Sequence, residues 1–123
     1  MNVSDFNQNQ KQALLDFLLL GMYADHNLAS SEDERVEELL DTFKFSSDYE
    51  RDQFSDAAFT RARQHSDSPE AIQTYVSQLV KHFPSDKLRR EAYDMLDDLL
   101  TSDGRVSSEE SKLLSAVKDV FKL

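Results

Sequence analysis

The 123-residue chain carries 24 acidic side chains against 14 basic ones, a formal charge of −10, with no cysteine and only two glycines and two prolines. Disulfides and thiolate metal sites are excluded, and an all-β fold with many tight turns is disfavoured. A surface of this sign repels phosphate backbones and anionic membranes, so nucleic-acid binding and direct membrane insertion are not expected. Cations or a basic protein partner are the natural guests. The charge is uneven: residues 1–50 hold eleven acids against three bases, whereas residues 101–123 are balanced. The apolar content suffices for one core, and the whole span 1–123 reads as one domain. Met1-Asn2-Val3-Ser4-Asp5 offers neither a basic region nor a cleavage motif, so no signal peptide is expected; with no cysteine, the expected location is the cytoplasm.

Six helices are predicted in an all-α bundle. The first runs from about Ser4 to Ala24, capped by Ser4 or Asp5. Its Leu14, Leu15, Phe17, Leu18, Leu19 and Met22 go around more than one face, which marks a central helix. The stretch from Leu14 to Ala24 is too short for a membrane span and contains Asp16 and Gly21. The second helix, from about Ser31 to Lys44, has a stripe of Val36, Leu39, Leu40 and Phe43. Ser47-x-x-Glu50 is a capping-box pattern that opens a third helix, ending near Gln64, with Phe54, Ala57, Ala58 and Ala62 inward. Ser68-Pro69 starts a fourth, striped by Ile72, Tyr75, Val76, Leu79, Val80 and Phe83 and stopped by Pro84. Ser85-Asp86 starts the fifth, with Leu88, Ala92, Met95, Leu96 and Leu99 inward. The sixth begins at Ser107 or Ser108 and carries Leu113, Leu114, Val117, Val120 and Phe121.

The first and last helix pairs repeat one another at a constant offset of 78 positions. Asp16 falls on Asp94, Leu18 on Leu96, Asp25 on Asp103, Ser30 on Ser108, Glu32 on Glu110, Asp41 on Asp119 and Phe43 on Phe121. The chain is therefore a duplicated helical hairpin, about 4–44 and 85–123, joined by a helix pair about 47–83. The two elbows are Asp25-His26-Asn27-Leu28-Ala29-Ser30-Ser31-Glu32 and Asp103-Gly104-Arg105-Val106-Ser107-Ser108-Glu109-Glu110.

Two mechanisms account for the shared elbow residues. In the structural one, Asp accepts amide hydrogen bonds within its turn, Ser30 and Ser108 cap the next helix, and Glu in the first turn complements the helix dipole. Such caps contribute about 0.5–2 kcal/mol each. In the functional one, Asp25, Glu32, Asp103 and Glu110 converge as oxygen ligands of a hard cation, with Ser30 and Ser108 as caps or outer ligands. Calcium or magnesium suits such a set better than zinc. Neither elbow is an EF-hand, because twelve-residue loops from Asp25 or Asp103 would end on Val36 or Leu114, where a bidentate Glu is needed.

The second elbow resembles the Asp-Gly-x-(Ile/Val)-(Ser/Thr)-x-x-Glu elbow of TerB-like domains, named for tellurite-resistance proteins and shared with the N-terminal region of a DnaJ-like membrane chaperone. The resemblance covers nearly the whole chain from about residue 8. It implies an all-helical, internally duplicated fold and an acidic cluster proposed to bind a divalent cation, in proteins tied to tellurite and other chemical stress. The matching positions here are Asp103 and Glu110, then Asp25 and Glu32. The first elbow departs from the pattern at His26, which stands where the second has Gly104.

Other residues carry less. Asp16 lies nine residues before Asp25, on the opposite helix face, and its repeat partner Asp94 has Arg90 one turn earlier, which predicts a surface ion pair. Asp41 and Asp119 are expected to be solvated. His26, His65 and His82 offer no pair with ligand spacing. With no nucleophile elbow and no phosphate loop, the chain is not expected to be an enzyme. The reading is a cytoplasmic, non-enzymatic stress-response domain that binds a divalent cation and contacts a protein partner. The alternative is a purely structural interaction module without a metal, and exposed Phe or Tyr beside the acidic helices would favour a partner surface.

Overall fold

The computed structural model describes residues 6–24, 33–101 and 107–123, which form six α-helices and one 3-10 turn. They are α1 (Gln8–Ala24), α2 (Glu34–Phe43), α3 (Asp48–Gln64), α4 (Pro69–Leu79), the 3-10 turn (Val80–His82), α5 (Asp86–Thr101) and α6 (Ser108–Phe121). No strand occurs among the described residues. The all-α fold expected from the sequence is present.

Helix α1 is the hub, packing against all five other α-helices. The cause is its composition: every residue from Ala13 to Met22 is buried, so no face remains for water. Gly21 allows the closest approach. A Cβ there would stand 2.9 Å from Leu113 Cδ2 and 3.4 Å from Leu100 Cδ2, so its missing side chain lets α5 and α6 lie against α1. Pairs α1–α2 and α5–α6 are in contact, and α4 lies on α6.

Helix starts differ from the expected ones where a better cap was available. α1 begins at Gln8, with Asn7 as its cap rather than Ser4 or Asp5, which lie outside the described residues. Asn7 Oδ1 accepts from Gln10 N at 2.9 Å and Gln10 Oε1 accepts from Asn7 N at 2.9 Å, a reciprocal box. α2 starts at Glu34, three residues after Ser31, because Asp33 takes the cap. It ends at Phe43, with Lys44 in the left-handed region at φ 57°. Ser47, Ser68 and Ser85 cap α3, α4 and α5 as predicted.

The inner face of α3 is displaced by one position. Ala57 is exposed, and Phe54, Ser55, Ala58, Phe59 and Ala62 form the buried stripe. Phe59 brings more apolar area to the core than Ala57 could. α4 also ends earlier than its stripe suggested. Pro84 disfavours helical geometry at Phe83, so the chain tightens into the 3-10 turn and Phe83 leaves the helix at φ −118°, ψ 85°. This turns Phe83 into the core, where its ring lies 5.8 Å from Phe6, 6.3 Å from Phe17 and 5.6 Å from Phe121. Gln10 Nε2 donates to His82 O at 2.8 Å and Arg89 Nε to Phe83 O at 2.7 Å, satisfying the carbonyls that the turn leaves open. Leu88 and Val120, predicted inward, are only half-buried.

Candidate functional site

The two helices that follow the elbows start side by side. At the start of α2, Asp33 Oδ1 accepts from the Arg35 backbone N at 2.8 Å and fixes the first turn. At the start of α6, Ser107 Oγ accepts from Glu110 N at 3.0 Å while Glu110 Oε1 accepts from Ser107 N at 3.1 Å, a complete capping box. The free oxygen of Glu110 then reaches across: Oε2 accepts from Arg35 Nη1 at 2.9 Å. The same guanidinium holds Asp33, with Nε 3.2 Å from Oδ1 and Nη2 3.3 Å from Oδ2.

Arg35 thus ties together two carboxylates at two positive helix ends. Its side chain is 12% exposed and that of Glu110 6%. Burial alone would lower the Arg35 pKa, but hydrogen bonds and charge from Asp33 and Glu110 outweigh it and the net direction is upward. Little water screens this pair, so its geometry is tightly set.

Of the four carboxylates predicted for the site, Glu110 is the one among the described residues, and both its oxygens are engaged. Ser108 is the first residue of α6 rather than its cap; it is exposed, and its Oγ donates to Glu109 Oε2 at 3.0 Å. Asp25, Ser30, Glu32 and Asp103 lie outside the described residues, as does His26. Among the described residues no group of three or more His, Asp or Glu side chains has a metal-holding arrangement. Asp33 and Arg35 were not predicted. An i, i+2 Asp-x-Arg at a helix start is a local signal, but the reach of Arg35 to a residue 75 positions away is not.

A cleft of about 410 Å³ opens beside this region, lined by Tyr23 and Ala24 of α1, by Ser68 and Pro69 at the start of α4, and by Glu109 and Lys112 of α6. Of the two helix starts that follow the elbows, it borders that of α6, through Glu109.

The second charged site was passed over in the sequence, where Asp16 was only set apart from the elbow's face. Asp16 is not at the surface: it is 2% exposed, and Arg61 grips it with two bonds, Nε to Oδ2 at 2.9 Å and Nη2 to Oδ1 at 2.9 Å. Tyr75 donates its hydroxyl to Oδ2 at 2.7 Å, and its ring stacks on His65 with centroids 4.0 Å apart. Burial, and then the hydrogen bond to Asp16, push the Tyr75 pKa upward. The signal was available, since an acid inside a helix apolar on every face cannot reach water. Its repeat partner Asp94, read as a surface residue, is exposed on a helix with one apolar face. Asp41, expected to be solvated, is largely exposed and pairs with Arg51.

Residues 11–123 match the family model described as "Tellurite resistance protein TerB". The chain belongs to the TerB family. Neither a curated protein nor a solved structure matches it. The TerB match agrees with the resemblance carried by the second elbow and includes both elbows in full. No helix among the described residues is long and apolar enough to cross a membrane.

Proposed function

We propose that this TerB-family chain acts without catalysis in a tellurite-related chemical-stress response, in the cytoplasm, where its paired elbows bind a divalent cation and its surface contacts a protein partner. The observation that supports it is the convergence of the α2 and α6 starts on Arg35. The elbows lead directly into these starts, and the cation reading rests on that adjacency. Calcium or magnesium fits the carboxylates proposed as ligands, Asp25, Glu32, Asp103 and Glu110. Because Glu110 is held by Arg35, cation binding takes the form of an exchange: the ion draws Oε2 away from the guanidinium and loosens the contact between the repeats.

A specific observation favours the second reading, a structural interaction module with no metal. Both oxygens of Glu110 already have partners, one of them the capping bond that starts α6. A titration of calcium, magnesium, manganese and zinc into the metal-stripped protein separates the two. Saturable heat that disappears in Asp25→Asn/Asp103→Asn supports the cation site. A flat titration, with that variant merely melting lower, leaves the structural module.

A further inference from the structure

A cleft of about 590 Å³ lies along the N-terminal half of α3, between the start of α1 and the α2–α3 connection. Its volume lies in the range of about 300–1,000 Å³ typical of binding sites. Phe43, Phe45 and Phe54 form its floor, with ring centroids 5.0 Å apart for Phe45 and Phe54 and 5.8 Å for Phe43 and Phe54. Lys11, whose Nζ stands 6.0 Å from the Phe43 ring centroid, and Lys44 line it as well. Neither lysine forms an ion pair with a described residue.

Charge is what distinguishes this place. The chain is strongly acidic, yet the lining of this cleft holds two lysines and one acid, Glu50. Glu50 accepts from Ser46 Oγ at 2.6 Å and sits in the first turn of α3, where the helix dipole offsets its charge. Asp41 is paired with Arg51. Lys11 and Lys44 stand above the aromatic floor against the single carboxylate of Glu50 in the lining, a locally positive place on an acidic chain. Beside them, Gln53 of the cleft wall donates to the hydroxyl of Tyr49 at 2.7 Å, and Tyr49 is 69% exposed, the large hydrophobic side chain most open to solvent among the described residues. An exposed Tyr next to an aromatic hollow is the composition of a protein-contact surface.

We propose that this cleft docks an acidic segment of a partner protein, an apolar or aromatic side chain resting on Phe45 and Phe54 while flanking carboxylates meet Lys11 and Lys44. The inference rests on the partner-binding half of the function proposed above and is independent of the cation.

The test pans a displayed library of random twelve-residue peptides on the full chain in EDTA, then measures the winners as synthetic peptides by fluorescence anisotropy. The expected winners place Asp or Glu beside a large apolar residue. They lose about tenfold or more in affinity to Lys11→Glu/Lys44→Glu, two reversals at solvent-accessible charges, and a smaller factor to Tyr49→Ala. Amide resonances of Lys44, Phe45 and Gln53 should shift on binding, and both variants should keep the wild-type melt. Absence of any enriched peptide, winners without acids, or equal affinity for the charge-reversed variant overturns the proposal. So does a wild-type dimer lost in that variant, which would make a second copy the occupant. Because EDTA is present throughout, a failure here leaves the cation reading standing, and a flat cation titration leaves this one standing.

Discussion

Arg35 on α2 and Glu110 on α6 meet at 2.9 Å across 75 residues of chain, and in doing so join the starts of the two helices that follow the repeated elbows. Neither side chain is more than 12% exposed, so the pair is not screened away as a surface pair would be. Arg35→Met strands the Glu110 carboxylate and should cost about 3 kcal/mol in urea unfolding. Arg35→Met/Glu110→Gln leaves no buried charge and keeps an acceptor for Ser107 N, so it should recover part of the loss. Equal destabilisation in the two variants would show that packing, not charge, accounts for the cost.

The Asp16–Arg61 pair makes a directional prediction, because its partners are unequally buried: 2% exposed for Asp16 against 28% for Arg61. Arg61→Met leaves an unpaired carboxylate in the core with Tyr75 as its remaining partner, and should cost about 3–5 kcal/mol. Asp16→Asn leaves a guanidinium that can turn to water, and should cost about 1–3 kcal/mol. Equilibrium unfolding of the two single variants measures the order.

These two sites mark the limit of what the sequence makes legible. Helix number, the hub role of α1 and most serine caps follow from apolar spacing and cap chemistry, which are local. The buried ion pairs are not local, since Arg35 and Arg61 find partners 75 and 45 residues away, and spacing carries no information about which arginine reaches which acid. The repeat aligns Asp16 with Asp94, yet one is buried and the other exposed, because duplication preserves residue type while the packing around each copy differs. The Phe83 turn was legible in principle from Pro84, but the apolar stripe running up to it argued for a longer helix.

Alkaline pH should act through Tyr75. Burial and Asp16 raise its folded pKa, so the neutral phenol is the form the native state holds. The associated stability is fully present below the unfolded tyrosine value of about 10 and is lost as pH rises through it towards the folded value. Unfolding free energy should therefore fall by up to about 1.4 kcal/mol per pH unit above pH 10, and the slope should be shallower in Tyr75→Phe. An unchanged slope in that variant would assign the loss to other groups.

Gly21 should resist enlargement. A Cβ would stand 2.9 Å from Leu113 Cδ2 in a place that is closed on all sides. Helix propensity alone favours Gly21→Ala by about 1 kcal/mol, whereas overpacking costs about 1–3 kcal/mol. We expect a net loss for Gly21→Ala and a much larger one for Gly21→Val, measured by thermal unfolding. A stabilised Gly21→Ala would mean that Leu113 and Leu100 repack freely.

The most direct measurement follows the Arg35 Nη1–H resonance, the proton donated to Glu110 Oε2, by NMR while calcium, and separately magnesium, is titrated into the metal-stripped protein. If the elbows bind a cation by exchange at Glu110, that resonance moves saturably, in step with the calorimetric curve, and stays fixed in Asp25→Asn/Asp103→Asn. A resonance that does not move at any cation concentration would contradict the exchange and return the elbows to the role of helix caps.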